Sequence, residues 1–246
     1  KTAVVIGAGF IGLEMAENLS KRGLAVTLIE KAPQVLPPLD IEMAAYVKNE
    51  LIASGVTVKT SASALAFQAA GREIVLDTGE VVTTDLTILS VGVQPETSLA
   101  QAAGLKLGIG GGILVDEHYQ TSAPDVYAVG DAIVVKQQLT GQDALIALAS
   151  PANRQGRQVA DVLAGINRFN RGSIGTAIVR VFGLTAASTG LSEAQAKLAD
   201  LPIAVVHITG KDHAGYYPGA KDLLLKLIFN PHSGEIYGAQ GIGEKG

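Results

Sequence analysis

Apolar runs and helical stripes alternate along the first sixty residues. Short runs of small or β-branched apolar residues at Ala3–Ile6, Ala25–Ile29 and Val56–Val58 predict strands, and the first of them is expected to be buried on both faces. Apolar positions at helical spacing follow Gly12 and recur over Asp40–Ala53, whose first residue is a candidate N-cap. Strands that alternate with helices predict an α/β domain with a Rossmann-like sheet.

The pattern then changes to shorter segments. Ala64–Ala69, Glu73–Asp77 and Glu80–Thr84 are predicted as short strands separated by turns. They would form a small antiparallel meander where a crossover helix is expected. Leu86–Val91 is then another buried strand, so residues 1–94 are predicted to form one domain with a β-meander insertion.

A second stretch of interest begins near Gly112. Within it, Val126–Val129 is predicted as a short buried strand that ends in a turn at Gly130-Asp131. Ser150-Pro151 then predicts a helix start, because serine is a good N-cap and proline suits the first helical position. This helix is expected to end near Gly165.

Beyond Gly172 the pattern predicts an α+β arrangement, in which one helix accompanies a predominantly antiparallel sheet. The helix begins at Ser192 and runs to about Asp200. The predicted strands are Thr176–Phe182, Ile203–Ile208, Asp222–Asn230 and Ile236–Ala239.

Composition narrows the class of protein. The 246 residues are 48% hydrophobic, which is enough for two compact domains. A net charge of −4 argues against a nucleic-acid partner. No apolar run reaches the ~20 residues that a membrane span needs, and no secretory signal is visible. We therefore expect a cytoplasmic protein with no membrane partner.

Cysteine is absent, so the chain holds no disulfide, no thiolate nucleophile and no cysteine metal site. No spacing of histidine and carboxylate residues indicates a metal site either. The chain begins at Lys1 rather than at methionine, one residue before a core strand. We therefore expect either trimmed ends or a piece of something larger.

The strongest motif lies between the first strand and the first helix. It reads Gly7-x-Gly9-x-x-Gly12, with Phe10 and Ile11 inside it. Gly7 would allow the tight turn, Gly9 would let a pyrophosphate approach the backbone, and Gly12 would let the helix pack close to the strand. The N–H groups at the helix start would face the phosphates. The motif alone is weak evidence, since a glycine-rich turn can be purely structural.

An acidic residue strengthens this interpretation. Glu30 ends the second strand, 18 residues after Gly12, where a carboxylate can accept hydrogen bonds from the adenosine ribose. Strand, turn, helix and acid together predict a dinucleotide site for NAD(P)H. Glu30 would repel the 2′-phosphate of NADPH, whereas Lys31 beside it would offset that repulsion, so NADH is favoured.

Five stretches carry a resemblance that covers nearly the whole chain. They are Gly7–Glu17, Gln120–Ala132, Pro151–Arg157, Ala186–Ala196 and His213–Leu227. In this order they resemble the flavin-dependent pyridine nucleotide-disulfide oxidoreductases, and within that family the branch of coenzyme A-disulfide reductases and NADH oxidases. The first stretch is similar to the family's NAD-binding turn, the next two to its flavin-contacting segment and the following helix, and the last two to its dimerisation domain.

The resemblance implies roles for individual residues. Asp131 would hydrogen-bond the ribitol of FAD, with Gly130 allowing close approach. The backbone at Leu148-Ala149 would lie beside the isoalloxazine, where a helix start favours the negative charge of reduced flavin. Glu14 and the turn at Gly92 would lie near the nicotinamide.

The resemblance also implies a homodimer. In coenzyme A-disulfide reductases a tyrosine of the partner subunit reaches the active-site sulfur, and either Tyr216 or Tyr217 matches that place. Both could equally be packed interface aromatics. His213 lies next to them without a carboxylate in register to orient it, so we expect a surface or interface histidine.

The implied domains are an NAD(P)-binding domain at 1–94, a returning segment of a split FAD-binding domain at 95–171, and a truncated dimerisation domain at 172–246. The family's first FAD half, with its own glycine motif and redox-active cysteine, has no counterpart in this sequence. We therefore expect a fragment that binds only NAD(H) and cannot reduce a disulfide.

For the parent enzyme, the resemblance implies hydride transfer from the nicotinamide to FAD, and onward transfer to a small-molecule substrate. That acceptor would be a disulfide such as coenzyme A disulfide, reached through a cysteine, or oxygen. Two alternatives stay open: a ferredoxin or rubredoxin reductase, which needs no cysteine, and a non-catalytic module that binds NADH or senses redox state.

Overall fold

A computed structural model describes residues 1–244, which pack as two compact units. The first unit contains 1–92, 178–188 and the residues from Ser192 onward, and the second contains 93–177 and 189–191. The first unit therefore joins segments that lie far apart in the sequence. Among the described residues, no helix is both long enough and apolar enough to cross a membrane.

Residues 1–92 form a parallel sheet, two helices and a small antiparallel sheet. In chain order the elements are β1 (Thr2–Ile6), α1 (Phe10–Lys21), β2 (Ala25–Glu30), α2 (Ile41–Ala53), β3 (Thr57–Thr60), β4 (Ala64–Gln68), β5 (Glu73–Leu76), β6 (Val81–Thr83) and β7 (Leu86–Leu89). The parallel strands follow the order β3-β2-β1-β7, and β4-β5-β6 form the antiparallel meander. The predicted Rossmann-like sheet with its β-meander is confirmed.

The apolar pattern explains how these layers pack. Ala3 to Ile6 of β1 are all buried, as the sequence predicted for a strand covered on both faces. On one face, Leu13 of α1 and Val47 of α2 belong to a single core. On the other face, Ile74 and Leu76 of β5 pack against Val4. The meander thus covers the face where a crossover helix was expected.

Short elements and turns hold residues 93–177 together. They include α3 (Ser98–Ala102), β8 (Val135–Lys136), β9 (Asp143–Ala144) and α4 (Ala149–Leu163). Their core gathers Ile113, Tyr119, Ile133 and Val135. Burial raises the pKa of Tyr119, whose hydroxyl donates to Gln158 Oε1 at 2.5 Å. This buried tyrosine therefore stays protonated and supplies the polar link between the core and α4.

One strand predicted in this region is wrong. Val126–Val129 lies outside any strand, and Val126 is exposed. A single isolated bridge pairs Tyr127 with Gln120. An apolar run becomes a strand only where a neighbouring segment supplies a continuous ladder, and here the neighbouring segment pairs at one point.

Residues 177–244 add a five-stranded sheet and one helix. The elements are β10 (Ala177–Val181), β11 (Leu184–Gly190), α5 (Glu193–Leu198), β12 (Ala204–Lys211), β13 (Asp222–Phe229) and β14 (Ile236–Gly243). The strand order is β10-β11-β14-β13-β12, and β12, β13 and β14 pair antiparallel. The predicted α+β arrangement is confirmed. Strand β11 was missed because its small residues give a weak apolar signal.

The turn between β10 and β11 binds both helices of the parallel sheet. Phe182 N donates to Glu17 Oε2 of α1 at 2.8 Å, and Gly183 N donates to Glu50 Oε1 of α2 at 2.9 Å. Burial acts to raise the pKa of Glu17, but hydrogen bonds from Lys21 and the Phe182 backbone outweigh it and lower that pKa. The two glutamates therefore anchor the C-terminal sheet to α1 and α2.

A buried ionic cluster connects α2, α5 and β13. Lys226 is fully buried, and its Nζ lies 2.8 Å from Asp40 Oδ2 and 2.6 Å from Glu193 Oε1, and also contacts Glu42 Oε1. Gln240 Nε2 donates to Asp40 Oδ2 at 2.7 Å. Burial acts to lower the pKa of Lys226, but its hydrogen bonds to the three carboxylates outweigh burial and raise it. The three carboxylates lie close enough together to hold a metal ion, but the ammonium group already lies among them.

Asp40 shows how this cluster departs from the local prediction. It takes the N-cap position of α2 as predicted, yet its side chain makes no capping hydrogen bond to that helix. Its carboxylate accepts instead from Glu193 N, at 3.1 and 3.2 Å, at the start of α5. A helix-starting residue is thus used to bind a segment about 150 residues away.

Candidate nucleotide-binding site

The turn between β1 and α1 requires glycine at two positions. Gly7 has a φ of +100°, and a Cβ placed on it would lie 2.3 Å from the Ser90 carbonyl oxygen. A Cβ placed on Gly12 would lie 1.8 Å from the Gly7 carbonyl oxygen. Contacts this short exclude any side chain. The structure therefore accounts for Gly7 and Gly12 by packing within the protein.

Gly9 is different, because the protein's own atoms do not require it. It is the N-cap of α1 with a φ of −76°, and a Cβ placed on it would meet no protein atom within 4 Å. The space in front of Gly9 is open at the start of a helix, whose first N–H groups, at Phe10, Ile11 and Gly12, have no acceptor within the helix. This arrangement fits a pyrophosphate that approaches the backbone closely.

Glu30 lies beside this turn at the end of β2. Its Oε2 accepts from Ala8 N at 2.6 Å, and its Oε1 accepts from Ala32 N at 2.8 Å. Two backbone donors thus hold the half-buried carboxylate next to the glycine turn, and each oxygen keeps a further lone pair for a ribose hydroxyl. Lys31, next in the chain, is exposed.

Ser90 was missed by the sequence analysis, which treated it as one position in a buried strand. Its Oγ lies 3.0 Å from the carbonyl oxygens of both Ile6 and Gly7, and its N–H donates to Ile6 O at 2.8 Å. Ser90 thereby connects the end of β7 to the glycine turn. The available signal was a polar residue directly after the predicted strand, although β7 itself is only partly buried, with Leu89 exposed.

Of the two residues expected near the nicotinamide, one lies on α1 and the other follows β7. Glu14 is exposed on α1, about one turn after Phe10. Gly92 follows β7, is exposed, and has a φ of +119° that favours glycine. Their proximity to a bound nicotinamide stays a prediction.

The second unit contains another turn followed by a helix start. Gly130 has a φ of +81°, and its N–H donates to Oε1 of the buried Gln155 at 2.7 Å. Asp131 in the same turn is exposed. Gln155 was missed, although it lies in the Pro151–Arg157 stretch, because the sequence does not show that α4 packs against this turn.

The start of α4 corrects one prediction. The helix begins at Ala149 with Leu148 as its N-cap, so the proposed N-cap Ser150 lies inside the first turn. Proline is tolerated at position 151, because an N–H group in the first turn of a helix would have no acceptor within that helix. The N–H groups of Ala149 and Ser150 are therefore the backbone donors at this helix start.

Tyr216 and Tyr217 lie in the loop between β12 and β13. Their rings stack at 5.1 Å with an angle of 37°, and they are 86% and 62% exposed. His213 Nδ1 lies 2.8 Å from Asp212 Oδ1, so the expectation that no carboxylate orients this histidine is wrong. The carboxylate belongs to the adjacent residue, whose direction depends on the loop and could not be read from spacing.

Comparison with known proteins places the chain in a family. Residues 1–156 match the family described as pyridine nucleotide-disulphide oxidoreductase, and 176–246 match the dimerisation domain of that family. The chain belongs to this family, as the motif order predicted.

Individual relatives agree with this assignment. The NADH oxidase of Methanocaldococcus jannaschii is 37% identical over 99% of the chain, and the coenzyme A disulfide reductase of Staphylococcus aureus is 32% identical over 99% of it. The chain covers 54% and 55% of these proteins, so it spans about half of their length. The crystal structure of reduced CoADR-RHD from Bacillus anthracis superposes with a TM-score of 0.98 at 50% identity, covering all of this chain and 44% of that one.

Proposed function

We propose that this chain binds a pyridine dinucleotide at the glycine turn, and that it is part of a flavoprotein oxidoreductase that uses NAD(P)H. The observation that supports this most directly is the open space at Gly9 beside the helix start. Gly7 and Gly12 shape the turn, the first N–H groups of α1 receive the pyrophosphate, and Glu30 accepts from the adenosine ribose. Glu14 and Gly92 lie toward the nicotinamide.

Residues of the second unit fit part of an FAD site. Gly130 has no side chain to block a ligand, and Asp131 is exposed and could accept a hydrogen bond from a ribitol hydroxyl. The first N–H groups of α4, at Ala149 and Ser150 after the N-cap Leu148, favour negative charge. When bound, the flavin supplies the hydride acceptor from which electrons pass on. In the longer parent protein the final acceptor is proposed to be a disulfide such as coenzyme A disulfide, or oxygen. The chain by itself is proposed to bind NAD(H) without turnover.

A pair of glycine variants tests the dinucleotide site. Gly9→Ala should weaken NADH binding at least tenfold, because the new methyl group enters the space proposed for the pyrophosphate. Gly156→Ala is the matched control, since its Cβ also meets no atom within 4 Å but lies on α4. Titration of NADH fluorescence gives the dissociation constants. Gly9→Ala should lower the unfolding free energy by no more than about 1 kcal/mol, because alanine is a poorer N-cap than glycine. Gly156→Ala should raise it by about 0.5–1 kcal/mol, because alanine is favoured over glycine inside a helix. Wild-type affinity in Gly9→Ala would contradict the site.

The same titration tests the choice between NADH and NADPH. The Glu30 carboxylate would lie next to a 2′-phosphate and repel it, so the wild-type chain should bind NADH more tightly. Glu30→Gln should reduce this preference, and Lys31→Gln should increase it. Tighter binding of NADPH than of NADH by the wild-type chain would show the proposed preference to be wrong.

We also propose that the protein forms a homodimer through the five-stranded sheet, with Tyr216 or Tyr217 reaching the partner's acceptor site. The matched dimerisation family and the exposure of both rings support this. Sedimentation velocity should show dimers that dissociate on dilution. A chain that stays monomeric at the highest soluble concentration would count against the interface.

A further inference from the structure

Two adjoining cavities lie on the second unit, against one face of α4. Their volumes are about 540 and 430 Å³, and both are lined by Arg154, Gln158 and Arg168. Arg157 adds to the first cavity, and Arg171 to the second. We call this feature the arginine groove and define it by these five residues. Each of the two volumes lies in the range of small-molecule binding sites.

The charge of the groove opposes that of the chain. Four arginines and one acidic residue, Asp161, line the two cavities, whereas the whole chain carries a net charge of −4. A cleft with an excess of one sign of charge concentrates ions of the opposite sign. The groove therefore favours an anion. All four cations are arginines, whose planar forks bind pairs of oxygens on a carboxylate or a phosphate. A phosphate offers three such oxygens to the arginines and a carboxylate only two, so a groove with several arginines favours phosphate.

The groove is built before any ligand arrives. Arg154 Nη2 donates to Gly172 O at 2.9 Å, and Arg168 Nε donates to Asp161 Oδ2 at 2.7 Å. Arg157 Nη1 donates to Asn153 Oδ1 at 2.6 Å. Each bond uses one of the five N–H donors of a guanidinium group and fixes its direction, so the other donors stay available. A ligand would meet side chains that are already partly ordered, which lowers the cost of binding.

The backbone that carries Arg168 is also fixed. Its carbonyl oxygen lies 2.8 Å from His118 Nδ1, and the neighbouring Phe169 ring packs against His118 at a centroid distance of 5.0 Å. The segment at one side of the groove is thus attached to the body of the second unit. All four arginines of the groove are exposed, and hydrogen bonds restrict three of them, Arg154, Arg157 and Arg168.

We propose that the arginine groove binds a small phosphate-bearing anion. The ligand class is a phosphate dianion, either free or as the monoester of an organic molecule, and the site is separate from the glycine turn because its residues belong to the other unit. The proposal does not depend on dinucleotide binding.

A nitrogen-15 NMR titration of the intact chain tests this directly, because the arginine Nε–H signals report on the groove itself. The probes are inorganic phosphate, pyrophosphate, adenosine 3′,5′-bisphosphate and succinate at constant ionic strength. The Nε–H signals of Arg154, Arg168 and Arg171 should shift and saturate with the phosphates, and at least tenfold more weakly with succinate. Tighter binding of the bisphosphate would identify an organic monoester as the ligand, and equal binding would identify free phosphate.

Charge-removing variants complete the experiment. Arg171→Gln should weaken phosphate binding at least tenfold, and it leaves the Arg154 and Arg168 anchors in place. Arg22→Gln is the control, because it removes the same charge from an exposed position in the first unit. Linear, unsaturated shifts, equal binding of succinate, or equal losses in the two variants would each overturn the proposal. Shifts confined to the amides of the glycine turn would do so as well.

Discussion

The two units each present a turn followed by a helix start, but different forces hold the two turns. Backbone crowding fixes the turn at Gly7, where Gly12 and Ser90 leave no room for side chains. A single buried side chain, Gln155, holds the turn at Gly130. The first turn therefore depends on the absence of side chains at Gly7 and Gly12. The second combines the Gln155 bond with a backbone bond from Ile113 N to Ala132 O at 2.8 Å.

The acidic residues beside the two turns, Glu30 and Asp131, also differ in how they are held. Two backbone N–H groups hold Glu30 against the glycine turn, whereas Asp131 is exposed. Residues 1–92 thus contain every protein group that the proposed dinucleotide site uses. The turn of the second unit takes its support from α4, 25 residues further along the chain.

Removing Lys226 should have the largest effect on the unfolding free energy, and the loss should fall in the first unit and not in the second. Lys226→Met should lower the unfolding free energy of the first unit by about 3–5 kcal/mol, because it leaves three carboxylates together without their cation. Lys197→Met is the control: Lys197 pairs with the same Glu193 at 2.9 Å but is 64% exposed, so its loss should cost no more than about 1 kcal/mol. Urea unfolding gives the totals, and hydrogen exchange should place the loss in the first unit. Equal stability of the two variants would contradict this role for the cluster.

An intermediate effect is expected at the second turn. Gln155→Ala removes the acceptor of the Gly130 N–H and should destabilise the second unit by about 1–3 kcal/mol. Hydrogen exchange at Gly130, Asp131 and Ala132 should accelerate, while the glycine turn of the first unit keeps its protection. If the Gly130 amide exchanged no faster than in the wild type, the turn would have another support and the contrast between the units would fail.

The smallest effect on the unfolding free energy is expected from lowering the pH. Hydrogen bonds from Lys226, and then from Lys197, lower the pKa of Glu193 below its ordinary value of 4.5. A carboxylate with a lowered pKa stabilises the fold fully above its ordinary value, and this contribution is lost as the pH falls through the lowered value. Unfolding free energy measured between pH 6 and 3 should therefore fall below about pH 4.5, and the fall should be smaller in Glu193→Gln. An unchanged slope in that variant would rule out this source.

The sequence predicted the parallel sheet, its two helices and the meander because their apolar periods are local and strong. Glu30 was predicted as an acid at the end of the second strand, and it lies next to the glycine turn. It could not find the partners of Asp40, which are Gln240, Lys226 and Glu193, because their pairing depends on how distant segments pack. Gln155 was missed for the same reason. The strand at Val126–Val129 failed because an apolar run does not reveal whether a neighbour will pair with it.

The anchoring of the β10–β11 turn on α1 and α2 bears on how such a protein could be recombined during evolution. The sequence motifs suggest that residues 1–92 form a domain that could be moved on its own. However, Glu17 accepts from Phe182 N and Glu50 accepts from Gly183 N, outside that segment. A gene fusion that moved only the nucleotide-binding segment would strip both carboxylates of these partners and expose Val47 and its neighbours in the shared core. We expect a transplant that retains the C-terminal sheet to be tolerated better, so the unit of inheritance here is larger than the motif.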